Sequence, residues 1–139
     1  MICVNNDDLA QLLQQHGVQP TSQRIQIASL ILGQHRHVCA DEVLRRLHDA
    51  RARVSKATVY NTLKLFCERG LLRTVDVDPV RQFYDSRIEP HHHFYNVDTG
   101  ELTDIDPQDI DLNVSATLPT GTISDGAEVL IRVRQQPAG

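Results

Sequence analysis

The sequence predicts an α+β fold with helices first and short strands after, and three observations carry that prediction. Apolar residues recur at helical spacing up to Gly70. Short β-prone runs bounded by Pro, Gly and Asp replace them from Leu71 onward. The charge also changes sign: residues 1–83 carry eleven Lys/Arg against eight Asp/Glu, whereas 84–139 carry three against ten. Two small domains follow, 1–85 and 86–139.

The helical half comes first. Asp7-Asp8 precede Leu9, Leu12 and Leu13, and Gly17 ends that helix. Thr21 caps a second helix with Ile25, Ala28 and Leu32 along one stripe, interrupted by Gly33 and Gln34-His35-Arg36. Ala40, Val43, Leu44 and Leu47 recur at i, i+3, i+4 and i+7, a third amphipathic helix whose cap position falls on Cys39. Ser55 caps the fourth, from Lys56 to about Arg69, with Val59, Leu63 and Phe66 toward the core. Runs Leu71–Val77 and Gln82–Tyr84 then form a two-strand wing around Asp78-Pro79-Val80-Arg81. Helices followed by a wing are the layout of a winged helix-turn-helix domain. Beyond it, His91–Val97 and Glu101–Ile105 read as a hairpin turning at Gly100, and Ala127–Arg134 as a last strand. Three strands with so little helix bury too little to stand alone, so this small α/β domain is expected to pair with its copy.

Composition narrows the function. A hydrophobic content of 40% with 4% aromatics supports an aliphatic core, and no apolar run reaches membrane-spanning length. Cys3, Cys39 and Cys67 make neither a CxxC nor an even framework, which suits a reducing cytoplasm. Eight basic and two acidic residues between 45 and 73 mark a polyanion-binding surface. On the fourth helix, Lys56, Tyr60, Asn61 and Lys64 share the face away from the core: Asn pairs with adenine, Tyr meets a thymine methyl, and Lys neutralises phosphate. Arg24 and Arg73 are expected to contact phosphates of double-stranded DNA. The plainer reading is an amphipathic helix with a solvated side, which the local basic excess and the wing make the weaker one.

The second motif is chemical. His91 and His93 leave one face of a strand, Asp85 lies six residues before them, and Asp104 lies eleven after His93. Imidazole nitrogen with carboxylate oxygen suits iron, manganese and zinc. A solvated polar strand is the alternative, but a His triplet beside carboxylates inside a sequence is costly unless it binds something.

Pro20-Thr21-x-x-Arg24, His37-Val38-x-Ala40-Asp41-Glu42-Val43-Leu44, Ala57-Thr58-Val59-Tyr60-Asn61-Thr62-Leu63 and the HHH strand, in this order, resemble the ferric-uptake-regulator (Fur) family over residues 8–135. The resemblance implies a homodimeric repressor that binds operator DNA, with a regulatory metal where its domains meet. It places the ligands on His37, Asp85, His91, His93 and Asp104. Most members also carry two CxxC pairs for a structural zinc. Asn96 and Thr99 occupy the hairpin positions and no cysteine follows Cys67, so a four-cysteine zinc is excluded and the helix expected after Asp106 is shortened. These departures are most similar to the iron-response-regulator (Irr) branch, which senses haem status. His91, His92 and His93 are then haem candidates, His92 pointing away from the other two; the Cys-Pro haem motif is absent, Cys3 being followed by Val4. The aspartate ligands are also similar to the peroxide-sensing regulators, in which iron oxidises a ligand histidine, here His37 or His91.

No enzyme is expected, nor a small-molecule substrate. A facial-triad iron oxygenase needs a many-stranded barrel that this chain cannot supply, and no phosphate loop or nucleophile motif is present. A metal-independent DNA-binding protein with vestigial histidines is the remaining alternative.

Overall fold

The computed structural model describes residues 5–32, 37–77 and 81–138. Cys3, the interruption at Gly33–Arg36 and the wing turn at 78–80 lie outside them. The chain divides into two compact units, Met1–Ile88 and Glu89–Gly139, and the α+β order is the one expected: helices and a small sheet, then a second small sheet.

Among its described residues the first unit holds four helices: α1 (Asn6–Gln15), α2 (Ser22–Ile31), α3 (Ala40–Asp49) and α4 (Lys56–Glu68). Their starts are chemical. Asn5, Thr21 and Ser55 each accept the backbone N–H three residues on, satisfying one orphan donor per helix. Cys39 occupies the cap of α3 with no side-chain cap bond. Gly17 and Gly70 close α1 and α4 at φ of 74° and 77°, and the next N–H returns to Leu13 O and Phe66 O. Arg51 takes the same post after α3 at φ 59° without a glycine's freedom.

Leu9, Leu13, Ile27, Ile31, Val43, Val59, Leu63 and Phe66 fill the core between these helices. Burying each such side chain is worth about 1.5–3 kcal/mol. The expected Ala28 and Leu32 are buried in the core, Ile27 and Ile31 join them, and Ile25 is only partly buried. That helix is apolar on more than one side, so periodicity alone left the width of its buried face open.

Strands β1 (His37–Val38), β2 (Arg73–Asp76) and β3 (Gln82–Asp85) form an antiparallel sheet in the order β1-β3-β2. The strand β1 is too short for a pattern to announce it. Its register sets His37 opposite Asp85, and β2 sets Arg73 opposite the same residue.

The second unit is a sheet of β4 (His92–Asn96), β5 (Leu102–Ile105) and β6 (Leu130–Val133), in the order β5-β4-β6. β5 is antiparallel to β4, and Gly100 at φ 78° makes the turn. β6 runs parallel to β4. The helix expected to be shortened after Asp106 is a single 3-10 turn, Pro107–Asp109. Among the described residues no helix is long and apolar enough to cross a membrane.

Candidate metal centre and nucleic-acid face

The second unit builds half of the candidate metal centre on strand geometry. His93 and Asp104 are direct cross-strand partners, and His91 precedes His93 by two, so all three side chains share one face. That face is the buried one: His91 is 1% exposed, His93 3%, and Tyr95 continues the row. Asp104 Oδ1 lies 3.2 Å from Nε2 of His91 and 3.2 Å from Nε2 of His93, and the ring centroids are 4.3 Å apart. One ligand atom from each of these three residues lies within 4.8 Å of the other two. Ligands at about 2.0–2.2 Å from one ion stand roughly 3.0–3.5 Å apart, so the spacing fits a shared cation.

The tautomer of His91 follows from its neighbour. Nδ1 is 2.7 Å from the Glu89 carbonyl, which can only accept, so Nδ1 carries the proton and Nε2 is the atom turned to Asp104. A backbone carbonyl that accepts from the far ring nitrogen orients a metal-binding imidazole and raises its basicity. His92 points the other way, and its Nδ1 accepts the Val129 N–H at 2.8 Å, tying β6 to β4.

The first unit holds the other two candidates as a pair. His37 Nε2 is 3.2 Å from Oδ2 of the fully buried Asp85, while Oδ1 accepts the Arg87 N–H at 2.8 Å. One carboxylate oxygen therefore fixes the turn and the other faces the imidazole. The turn was readable, since an Asp two residues before the N–H it bonds is an Asx turn. The Glu89 carbonyl and the β1–β3 pairing had no such signal. Cys39, beside His37, is half-buried, and burial pushes its thiol up, partly offset by Arg81.

The candidate DNA face lies on α4, where Lys56, Tyr60, Asn61 and Lys64 are all exposed. Lys56 Nζ sits 5.9 Å from the Tyr60 ring centroid, a cation–π contact that holds both on one side. A cleft of about 310 Å³ between α2 and α4 is lined by Thr21, Arg24, Thr58 and Asn61 among others. Arg24 is half-buried there and donates to the Gln19 carbonyl at 3.0 Å. Arg73 is half-buried at the base of the wing rather than at its tip.

Comparison with known proteins gives the class. The family model described as the ferric uptake regulator family matches residues 15–121. The chain belongs to that family. Among curated relatives, the peroxide-responsive repressor PerR of Staphylococcus aureus is 29% identical over 92 residues, 66% of this chain and 62% of the repressor. The match thus spans under two thirds of that relative's length. The ferric uptake regulator of Pseudomonas aeruginosa with manganese superimposes with a TM-score of 0.66 at 23% identity, covering 91% of this chain and 96% of that one. That of Vibrio cholerae gives 0.71 at 19% identity, covering 92% and 100%. At such identities these likenesses establish the fold.

Proposed function

We propose that this protein is a homodimeric, metal-responsive repressor that reads operator DNA with α4 and controls genes of iron homeostasis. The observation that carries the reading is the convergence of His91, His93 and Asp104 on one buried face, at the spacing one cation requires. His37 and Asp85 complete the ligand set, giving three imidazoles and two carboxylates. When bound, the ion would supply a fixed positive charge among these imidazoles and carboxylates. The first unit is then the DNA-binding domain and the second the dimerisation and sensing domain. Lys56, Tyr60, Asn61 and Lys64 read the major groove, with Arg24 and Arg73 on phosphates. By linkage, operator DNA tightens metal binding by the factor with which metal tightens DNA binding.

The burial of His91 and His93 favours a small ion over haem at those two nitrogens, because a porphyrin cannot reach them with the unit closed. Haem sensing, the habit of the iron-response branch, would have to use His92, whose Nδ1 is engaged by Val129 and whose Nε2 would be the ligand. A second reading, peroxide sensing, is favoured by the likeness to the staphylococcal PerR together with the two aspartate ligands.

Operator binding by metal-free protein, titrated with ferrous iron, manganese and haem while spectra are recorded, tests these readings. Tightening by iron or manganese supports the metal-loaded repressor. A histidine-ligated haem spectrum that tracks DNA release replaces it with haem sensing. Loss of binding after peroxide, with one oxygen gained on His37 or His91, selects the second reading. No response to any of them overturns the proposal.

A further inference from the structure

The connection between β5 and β6 is far longer than its geometric task. β5 runs antiparallel to β4 and β6 parallel to it, on opposite sides, so β5 ends and β6 begins at the same end of the sheet. Two strand spacings, about 10 Å, separate those ends, a gap that roughly four extended residues span. The chain runs from 106 to 129 instead, and connections of roughly two dozen residues without regular structure are uncommon, being either binding segments or linkers. Apart from the 3-10 turn it forms neither helix nor strand, and every residue from 111 to 128 is exposed. Leu112, Val114, Leu118 and Ile123 are 46%, 71%, 52% and 92% exposed.

The same unit leaves one sheet face bare. Phe94 and Ile131 are register partners, Val133 follows on the same side, and they are 38%, 39% and 37% exposed. An isolated three-stranded sheet with an uncovered apolar face is marginal in water. The single chain thus holds an exposed apolar arm and an apolar face that stays more than a third exposed.

We propose that the 106–129 arm of each chain lies across the Phe94–Ile131–Val133 face of a second copy, so that the dimer is held by exchanged arms. The inference rests on the dimeric reading given above. Two-fold pairing buries both surfaces at once, each copy giving an arm and receiving one. The roots of the arm are fixed: the N–H of Val129 is held by His92 Nδ1 and its carbonyl accepts the His93 N–H, while Ile105 pairs with His92. The arm can therefore swing outward without loosening the sheet. Its charge argues against nucleic acid as the occupant, since it carries Asp106, Asp109, Asp111, Asp125 and Glu128 and no Lys or Arg.

The test is the mass of the full-length chain by analytical ultracentrifugation across the micromolar range, for wild type and for Leu118→Asp with Ile123→Asp. Both sites are exposed in the single chain, so these substitutions leave its fold intact, and circular dichroism checks this. With two arms per dimer, four buried aliphatics are lost, which should weaken the dimer by about 10,000-fold or more. A photo-crosslinker at position 118, in a mixture of ¹⁴N and ¹⁵N chains, should give mixed-isotope crosslinks to the β4 or β6 peptide. A wild-type dimer unmoved by the arm substitutions, or crosslinks confined to one isotope, overturns the exchanged arm and leaves the dimer standing. A wild-type monomer throughout overturns the dimeric reading itself.

Discussion

Replacing Asp104 by Asn separates what this side chain does for the ion from what it does for the fold. Its Oδ1 is 3.2 Å from Nε2 of both His91 and His93, and Asp104 is 24% exposed. Because His91 donates Nδ1–H to Glu89, its neutral ring turns a lone pair toward a carboxylate, an arrangement that needs a proton or a cation between them. Asn keeps the shape, removes the charge and offers an amide N–H to one imidazole. The metal-free fold then gains a neutral hydrogen bond, about 0.5–1.5 kcal/mol. The ion loses an anionic ligand; even a partner one step removed is worth 10–100-fold in affinity, so about 100-fold is a lower bound here. With manganese at about 100 times the wild-type Kd, ligation adds about 2.7 kcal/mol of stability, and a 100-fold weaker site leaves about 0.4 kcal/mol. Thermal unfolding with and without manganese should show a metal-free midpoint unchanged or raised and a metal-dependent rise nearly gone. An Asp104→Asn protein that keeps the full rise would refute the ligand assignment.

Three further outcomes are expected. Tyr60→Ala or Asn61→Ala should weaken the specific operator by more than random DNA, by about 1–3 kcal/mol if a base contact is lost, in fluorescence anisotropy; equal losses would remove the base-reading role. Arg51→Gly should stabilise the chain by about 1 kcal/mol in urea unfolding, because it relieves an αL backbone at φ 59°, and a loss of stability would mean the Arg51 side chain matters more than its backbone. Burial pushes the Cys67 thiol above its ordinary 9.0, so the folded state holds its proton where the unfolded chain releases it. Stability from that group is complete below pH 9.0 and is lost as pH rises toward the higher folded value. Cys67→Ala should flatten that alkaline decline in denaturant midpoints, and an unchanged slope would contradict it.

What the sequence announced, and what it withheld, follows from the range of the forces involved. Caps are local chemistry, so Thr21 and Ser55 could be read directly, as could the αL glycines at 17, 70 and 100. The i, i+2 spacing of His91 and His93 fixed their shared face because a strand has period two. The width of the buried face of α2 was not legible: Ala28 and Leu32 lie on it as expected, but Ile27 and Ile31 join them while Ile25 is only partly buried, a choice that tertiary packing makes. The two residues of β1 carry no period at all, and their pairing with β3 depends on contacts far along the chain. The Glu89 carbonyl is backbone, which no side-chain pattern can report. Residues 106–126, rich in Asp, Pro, Gly and Thr, show no helical period, but their exposure required the strands on either side to be placed first.

The strand β3 has a consequence for engineering. It runs from Gln82, beside the wing turn, to Asp85, about 10 Å of pleated backbone hydrogen-bonded on both sides over part of its length. The same four residues therefore form one arm of the wing and deliver a candidate ligand. Grafting another protein's wing onto this scaffold to change its operator preference would carry Asp85 away with the discarded strand. A chimera that leaves β3 intact, and exchanges only α4 residues, keeps addressing and sensing as separate design variables.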